Sequence, residues 1–281
     1  MSPDDHASTH PNRAAVVTAR DGSVVTYRSL VARSRRIAVF LQRQGLAAGD
    51  SIALLLKNQS EVFDFYYHGP WPVVPLPAQR PIDPTDTQAR LEALRADHPR
   101  AWLVEWAMNE ADPPGVIATW IARNGFQASH AWYGSLQLAL VSFADEQATQ
   151  TRVDLPLSNG VVLDAYQLPT GPLKPGETLP LSLVWRTQEA PGSVPWKVFT
   201  HLLDAQQKVV AQRDSEPLGG LQPTTTWQPG DVVEDHYGIA LPPDLPAGSY
   251  TLEIGMYQGD RRATFSGEGD HLVLGSIGVN P

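Results

Sequence analysis

Thr178–Thr187 reads TLPLSLVWRT and Ser249–Gln258 reads SYTLEIGMYQ, and these two stretches decide the architecture. In each, large apolar side chains recur at every second position. They are Leu179, Leu181, Leu183 and Trp185 in the first, and Tyr250, Leu252, Ile254 and Met256 in the second. A period of two places them on one face of an extended strand, because successive Cβ atoms leave a pleated backbone on opposite sides. Comparable runs lie at Val161–Leu168, Lys197–Asp204, Val209–Asp214, Val232–Leu241 and Leu272–Val279, with Pro- and Gly-rich turns between them. Seven or eight short strands punctuated in this way predict an all-β, immunoglobulin-like sandwich over residues 149–281.

Upstream of the sandwich the pattern changes. Asp145–Arg152 (DEQATQTR) is polar and aperiodic and marks a domain boundary near residue 148. Before it, strands and helices alternate. Ser51–Leu56 reads as a buried strand, Ser60–His68 as a helix and Pro72–Leu76 as a short strand limited by proline. Asp86–Asp97 is a helix capped near Asp83 or Thr85, with Leu91 and Leu94 turned inward. Ala101–Trp106 is a strand, Pro114–Asn124 a helix stopped by Gly125, and Leu136–Phe143 a last strand. This alternation predicts an α/β domain over residues 1–148, with a mostly parallel sheet and flanking helices. At its front, Ala15–Val17 and Val24–Val25 flank Asp21-Gly22, a strong hairpin signal, and a helix follows from Tyr27 to Gln44. The helix arginines Arg28, Arg33, Arg35, Arg36 and Arg43 read as a solvated face rather than an anion site.

Composition removes several function classes. The 281 residues carry a formal charge of −9, which repels a phosphate backbone and speaks against nucleic acid as a partner. The absence of cysteine excludes disulfides, thiolate zinc sites and a cysteine nucleophile. Met1–Pro11 lacks the basic-then-apolar order of a signal peptide, and no apolar run approaches the ~20 residues of a membrane span. A soluble, cytoplasmic chain without membrane insertion is therefore expected.

No G-x-G-x-x-G follows a strand, and neither H-E-x-x-H nor G-x-S-x-G occurs. The reading assigns no catalytic residue, no metal ligand and no cofactor. Aromatic and polar residues of the sandwich supply the candidate ligand-binding set. Trp227 and Trp196 lie in loops, where an indole could stack on a sugar ring; the plainer reading is that they plug the ends of the sandwich. His201 and Asp204 alternate along one strand, with Asp214 on the next, and Tyr237 follows Asp235 and His236. Strand-edge hydrogen bonding is the simpler role for that group. Glu105 and Glu110 fall near the C-terminal end of a parallel strand, where α/β sheets bind ligands, although surface or capping roles fit them as well.

Two stretches carry family resemblances. His10–Ala14, Val25-Thr26-Tyr27, the helix from Leu30 to Gly45 and Gly49-Asp50 with the Ser-Ile-Ala-Leu that follows occur in the order seen at the front of adenylate-forming (AMP-binding) enzymes. That resemblance spans about residues 7–61. The remainder, about 49–281, is similar to the extracytoplasmic C-terminal region of bacterial membrane glycosyltransferases of the protein-mannosyltransferase-like type. Its carriers begin with Phe63–Tyr67, Val74–Pro77, Ala101–Val104, Glu110–Pro113 and Trp132–Gly134. They continue with Val198–Asp204, Pro217–Gly220, Trp227–Gly230 and Leu245–Tyr250. The two overlap at Gly49–Glu61, which points to a fusion.

Neither implied chemistry is complete. Adenylation needs a Ser/Thr/Gly-rich loop ending in lysine to cradle phosphates. The nearest stretch, Gly219–Thr226, has no lysine. In the glycosyltransferases the resemblance places catalysis in a membrane portion without counterpart here. The resulting expectation is a non-catalytic module that binds a glycan or a protein. The alternative is a degenerate or truncated adenylate-forming enzyme.

Overall fold

The computed structural model describes residues 3–17, 24–43, 51–55, 72–79, 81–106, 108–133, 136–143, 148 and 150–281. The chain divides into two compact units, Met1–Gly49 with Glu61–Pro70, and Asp50–Ser60 with Trp71–Pro281.

The first unit contains helix α1 (Pro3–Thr9), strands β1 (Ala14–Val17) and β2 (Val24–Thr26), and helix α2 (Tyr27–Arg43). β1 and β2 pair antiparallel, with Val17 opposite Val24, as the hairpin signal required. The Asp21-Gly22 turn lies outside the described residues, as does the helix expected over Ser60–His68. Helix α2 starts directly after β2, where Thr26 Oγ1 accepts a 3.3 Å hydrogen bond from the Ser29 amide. His6 of α1 stacks on Tyr27 at 4.8 Å, and Asp4 pairs with Arg35 at 2.9 Å. Arg28, Arg33, Arg35 and Arg36 are exposed, in keeping with a solvated face.

The second unit opens with a five-stranded sheet of β3 (Ser51–Leu55), β4 (Val73–Pro75), β5 (Arg100–Trp106), β6 (Phe126–Tyr133) and β7 (Leu136–Ser142), in the order β4-β3-β5-β7-β6. β3 is parallel to β4 and to β5, but β7 runs antiparallel to both β5 and β6. The sheet is thus mixed, a correction to the mostly parallel arrangement expected. The extra strand is β6, which the alternation had left unassigned. Two residues separate it from β7, and so short a connection joins only antiparallel neighbours.

Helices α3 (Pro84–Asp97), α4 (Met108–Ala111) and α5 (Val116–Asn124) belong to this sheet. Asp83 caps α3 by accepting from the amides of Thr85 (2.9 Å) and Asp86 (3.2 Å). Leu91 and Leu94 of α3 and Ile117 of α5 share a core with Leu103, Ala139 and Val141 of the strands.

The rest of the chain is β. One antiparallel sheet has the order β13-β10-β9-β8, formed by β8 (Gln150–Pro156), β9 (Val161–Gln167), β10 (Thr178–Thr187) and β13 (Val232–Ala240). The other contains β11 (Lys197–Leu203), β12 (Val209–Gln212), β14 (Gly248–Gln258), β15 (Arg261–Arg262) and β16 (Leu272–Val279), with β14 at its centre. The alternating side chains of two strands meet in one core: Leu181, Leu183 and Trp185 from β10, Leu252, Ile254 and Met256 from β14. All six are fully buried, and each such side chain contributes about 1.5–3 kcal/mol of transfer free energy. Two antiparallel sheets around one core make a β-sandwich. β8 begins within the polar stretch read as the boundary, so the last residues of that stretch are strand.

Strand β6 lies against β13 at very close range. A Cβ added to Gly238 would sit 2.6 Å from the Phe126 carbonyl oxygen and 2.8 Å from the Gln127 carbonyl carbon. Glycine is needed at 238 for steric clearance, so this backbone contact is written into the sequence at a single residue.

Candidate functional site

The region around this contact holds a cavity of about 220 Å³. Helix α5 and the turn after β12 supply its apolar wall through Ile117, Ile121 and Leu218. Its polar groups are Glu105, Gln127, Gln137, Arg213, Ser215, His236 and Tyr237. Each arrives by a separate structural route.

Glu105 of β5 stands directly opposite Gln137 of β7 in the antiparallel register, which puts both side chains on one face of the mixed sheet. Burial pushes the Glu105 carboxyl up to about 7. Arg213 follows β12, and its backbone is clamped to β11: its amide donates to the Thr200 carbonyl (3.1 Å) and Thr200 Oγ1 donates to its carbonyl (2.7 Å). Its guanidinium then reaches β6, donating to His130 Nδ1 at 2.9 Å and Gln127 Oε1 at 3.1 Å. An arginine only donates, so His130 Nδ1 accepts and that ring is unprotonated there. Burial first, and the Arg213 charge second, hold the His130 pKa below its ordinary value. Burial also lowers the pKa of Arg213 itself.

His236 lies edge-on to Phe126 at 5.1 Å and shares a 3.0 Å hydrogen bond with Ser182 Oγ across the β10–β13 register. Burial lowers its pKa. Ser182 does not line the cavity, so this pair is a cross-strand tie and not a nucleophile presented to a ligand.

Tyr237 donates to Asp235 Oδ2 at 2.5 Å, and Asp235 Oδ1 accepts the Leu218 amide at 2.8 Å. Both side chains are buried. Burial raises the Asp235 carboxyl to about 6 and lifts the Tyr237 phenol well above its usual value. The Leu218 amide belongs to the Pro217–Gly220 turn, where Leu218 adopts φ 51°, ψ 39°. The buried carboxylate thus holds a left-handed non-glycine residue that costs backbone energy.

The structure separates the residues singled out in the sequence. Tyr237 lines the cavity. His201 and Asp214 approach each other, Nε2 to Oδ1 3.9 Å, on β11 and just past β12. His201 Nδ1 also meets Glu253 at 3.2 Å, and its ring stacks on Phe199 at 4.7 Å. Asp204 joins neither of them: it folds a turn by accepting from the amides of Gln206 and Lys208, each at 2.9 Å.

Trp196 and Trp227 are 3% and 1% exposed. The Trp196 Nε1 donates to the Pro191 carbonyl at 3.2 Å, and the Trp227 Nε1 to the Gln222 carbonyl at 3.0 Å. Their ring faces are covered by protein, which corrects the idea that they stack on a sugar; they close the sandwich core. Among the described residues no group of three or more His, Asp or Glu could hold a metal ion, and no helix is long and apolar enough to cross a membrane.

Arg213, Gln127 and Gln137 escaped the sequence reading. Arg213 was the most legible of them, as a charge two residues past the apolar run Val209-Val-Ala211. The two glutamines stand in strands with no local signal at all.

Comparison with known proteins adds little to this geometry. The family described as AMP-binding enzyme matches residues 3–67, the stretch that carries the adenylate-forming resemblance. That is well under half of the chain. No curated protein matches it. Among solved structures, the C-terminal domain of wzt is similar at 12% identity and a TM-score of 0.33, covering 49% of this chain and 80% of its own. The CARDB domain of a Pyrococcus furiosus protein, solved in complex with di-metal ions, is similar at 9% identity and a TM-score of 0.28, covering 50% of this chain and 100% of its own. Both scores are too low to define a shared fold.

Proposed function

We propose that the chain is a non-catalytic binding module that takes a hydroxyl-rich ligand, a sugar unit of a glycan, into the cavity beside β6 and β13. The lining of that cavity is the observation that carries the reading. Two amide side chains, Gln127 and Gln137, can donate to and accept from hydroxyls. The apolar wall to which Ala118, Ala122 and Leu221 contribute beside Ile121 and Leu218 suits the C–H face of a ring. A cavity of about 220 Å³ is below the ~300–1,000 Å³ of drug-sized sites, so the occupant is one ring rather than a chain.

Calorimetric titration of the full chain with a panel of monosaccharides and short oligosaccharides tests this. Saturable binding is expected, weakened at least tenfold in Gln137→Leu with the melting temperature unchanged. Silence across the panel removes the proposal.

One observation favours a second reading. The AMP-binding match covers residues 3–67, which fits a truncated adenylate-forming enzyme. The lysine-free stretch after Gly219 folds here into two short 3₁₀ turns within the sandwich, Pro217–Gly220 and Thr224–Thr226, rather than into a phosphate loop. An ATP–pyrophosphate exchange assay is expected to show no exchange, and robust exchange would replace the first reading with this one.

A further inference from the structure

We infer that the occupant of this cavity carries a carboxylate, as a uronic-acid sugar does, and that Arg213 clamps it. The inference rests on the proposed binding role of the same cavity and narrows its ligand class. Arg213 is a cation placed on the wall of a half-open cavity, yet its guanidinium bonds go to the neutral acceptors His130 Nδ1 and Gln127 Oε1. Among the described residues no carboxylate forms an ion pair with it. The neighbouring Asp214 acts on Arg213 through space, but its direct contacts are with His201, 3.9 Å from Nε2, and with Tyr257.

A half-buried guanidinium with no carboxylate in direct contact keeps donors that a ligand can complete. A guanidinium has five N–H donors in a planar fork, of which these two contacts use two. The same fork matches a carboxylate through two parallel hydrogen bonds. The fork is also preorganised, since Thr200 pins the Arg213 backbone and β6 pins its tip. Because the Gln127 carbonyl oxygen is taken by Arg213, its amide NH₂ is the end left to donate to a ligand oxygen. With a formal charge of −9 the chain as a whole repels anions, so affinity for one must come from a local cation of this kind.

Glucose and glucuronate share a ring and differ in the carboxylate, so their paired titration on the full chain is the test. Glucuronate is expected to bind at least tenfold more tightly than glucose. In Arg213→Gln that ratio is expected to fall to about one, with thermal melting checking the fold. Should Arg213→Gln fail to fold, Arg213→Lys decides: it keeps the charge but loses the fork, and the ratio is expected to drop about threefold. Equal affinity for the two sugars in the unaltered chain overturns the carboxylate inference while the binding reading stands. An unchanged ratio in the Arg213 variants overturns the clamp. Binding of neither sugar removes both.

Discussion

Asp235 is buried on β13, accepting from the Tyr237 phenol and the Leu218 amide. Burial raises its carboxyl to about 6 and that of Glu105 to about 7. A raised acid pKa means that the folded chain keeps protons the unfolded chain has already released. The stability these two groups contribute is therefore greatest on the acid side and declines as pH climbs from about 4 to about 7, while the lowered pKa values of His130 and His236 act in the opposite sense. Urea unfolding at steps across that range isolates the Asp235 share: relative to the unaltered chain, Asp235→Asn should gain stability as pH climbs. Asp235→Ala leaves the phenol and the amide without an acceptor and is expected to cost about 2 kcal/mol at pH 5. An unchanged midpoint would mean that water replaces the carboxylate there. Trp227 presents the opposite case, a large side chain whose value is volume. Trp227→Ala is expected to cost about 3–5 kcal/mol in the same assay, without any direct effect on a ligand in the cavity.

Helix α5 shows how one side chain outside an element can set its start. Gly115 stands at the N-cap position with φ 69° and offers no side chain. The buried carboxylate of Asp112 takes over, accepting from the amides of Val116 (2.7 Å), Ile117 (2.8 Å) and Ala118 (3.0 Å). These are donors that a helix start leaves open, and a negative charge suits that end of the dipole. Asp112→Ala is expected to lower stability by about 1–2 kcal/mol, read from the urea midpoint, with Asp112→Asn recovering most of it. At the other end Gly125 closes the helix, as its position in the sequence suggested, and β6 follows at once. That strand was not legible. Phe126–Tyr133 (FQASHAWY) alternates weakly, and a bulge between Gln127 and Ser129 breaks the period of two on which recognition of a strand depends. The helices and strands with strong spacing were legible nearly to the residue, including the cap at Asp83.

At the scale of the molecule, the mixed sheet and the sandwich lie in one compact unit. Contacts that join them include the β6 backbone over Gly238, Phe126 against His236, Arg213 with Gln127 and His130, and Ala122 of α5 against the sandwich core. The sandwich has its own core, so a fragment beginning at Gln150 is expected to melt cooperatively, with strand-rich circular dichroism, at a temperature lower by roughly 5–10 °C. A fragment without a cooperative transition would show that the mixed sheet is required for the sandwich to fold.

By itself the sequence determined the sandwich, its two inner faces and the helices with clear caps, because each depends on a period or a terminal residue that is local in the chain. Alternation at Leu179–Trp185 and Tyr250–Met256 admits one face inward, and burial follows from that. The tertiary structure alone decided three things. It reversed part of the mixed sheet, covered the faces of Trp196 and Trp227, and assembled the cavity. The physical reason is sequence distance. Glu105, Gln127, Arg213 and His236 come from four separate elements, and no spacing rule links residues brought together only when two layers close on each other.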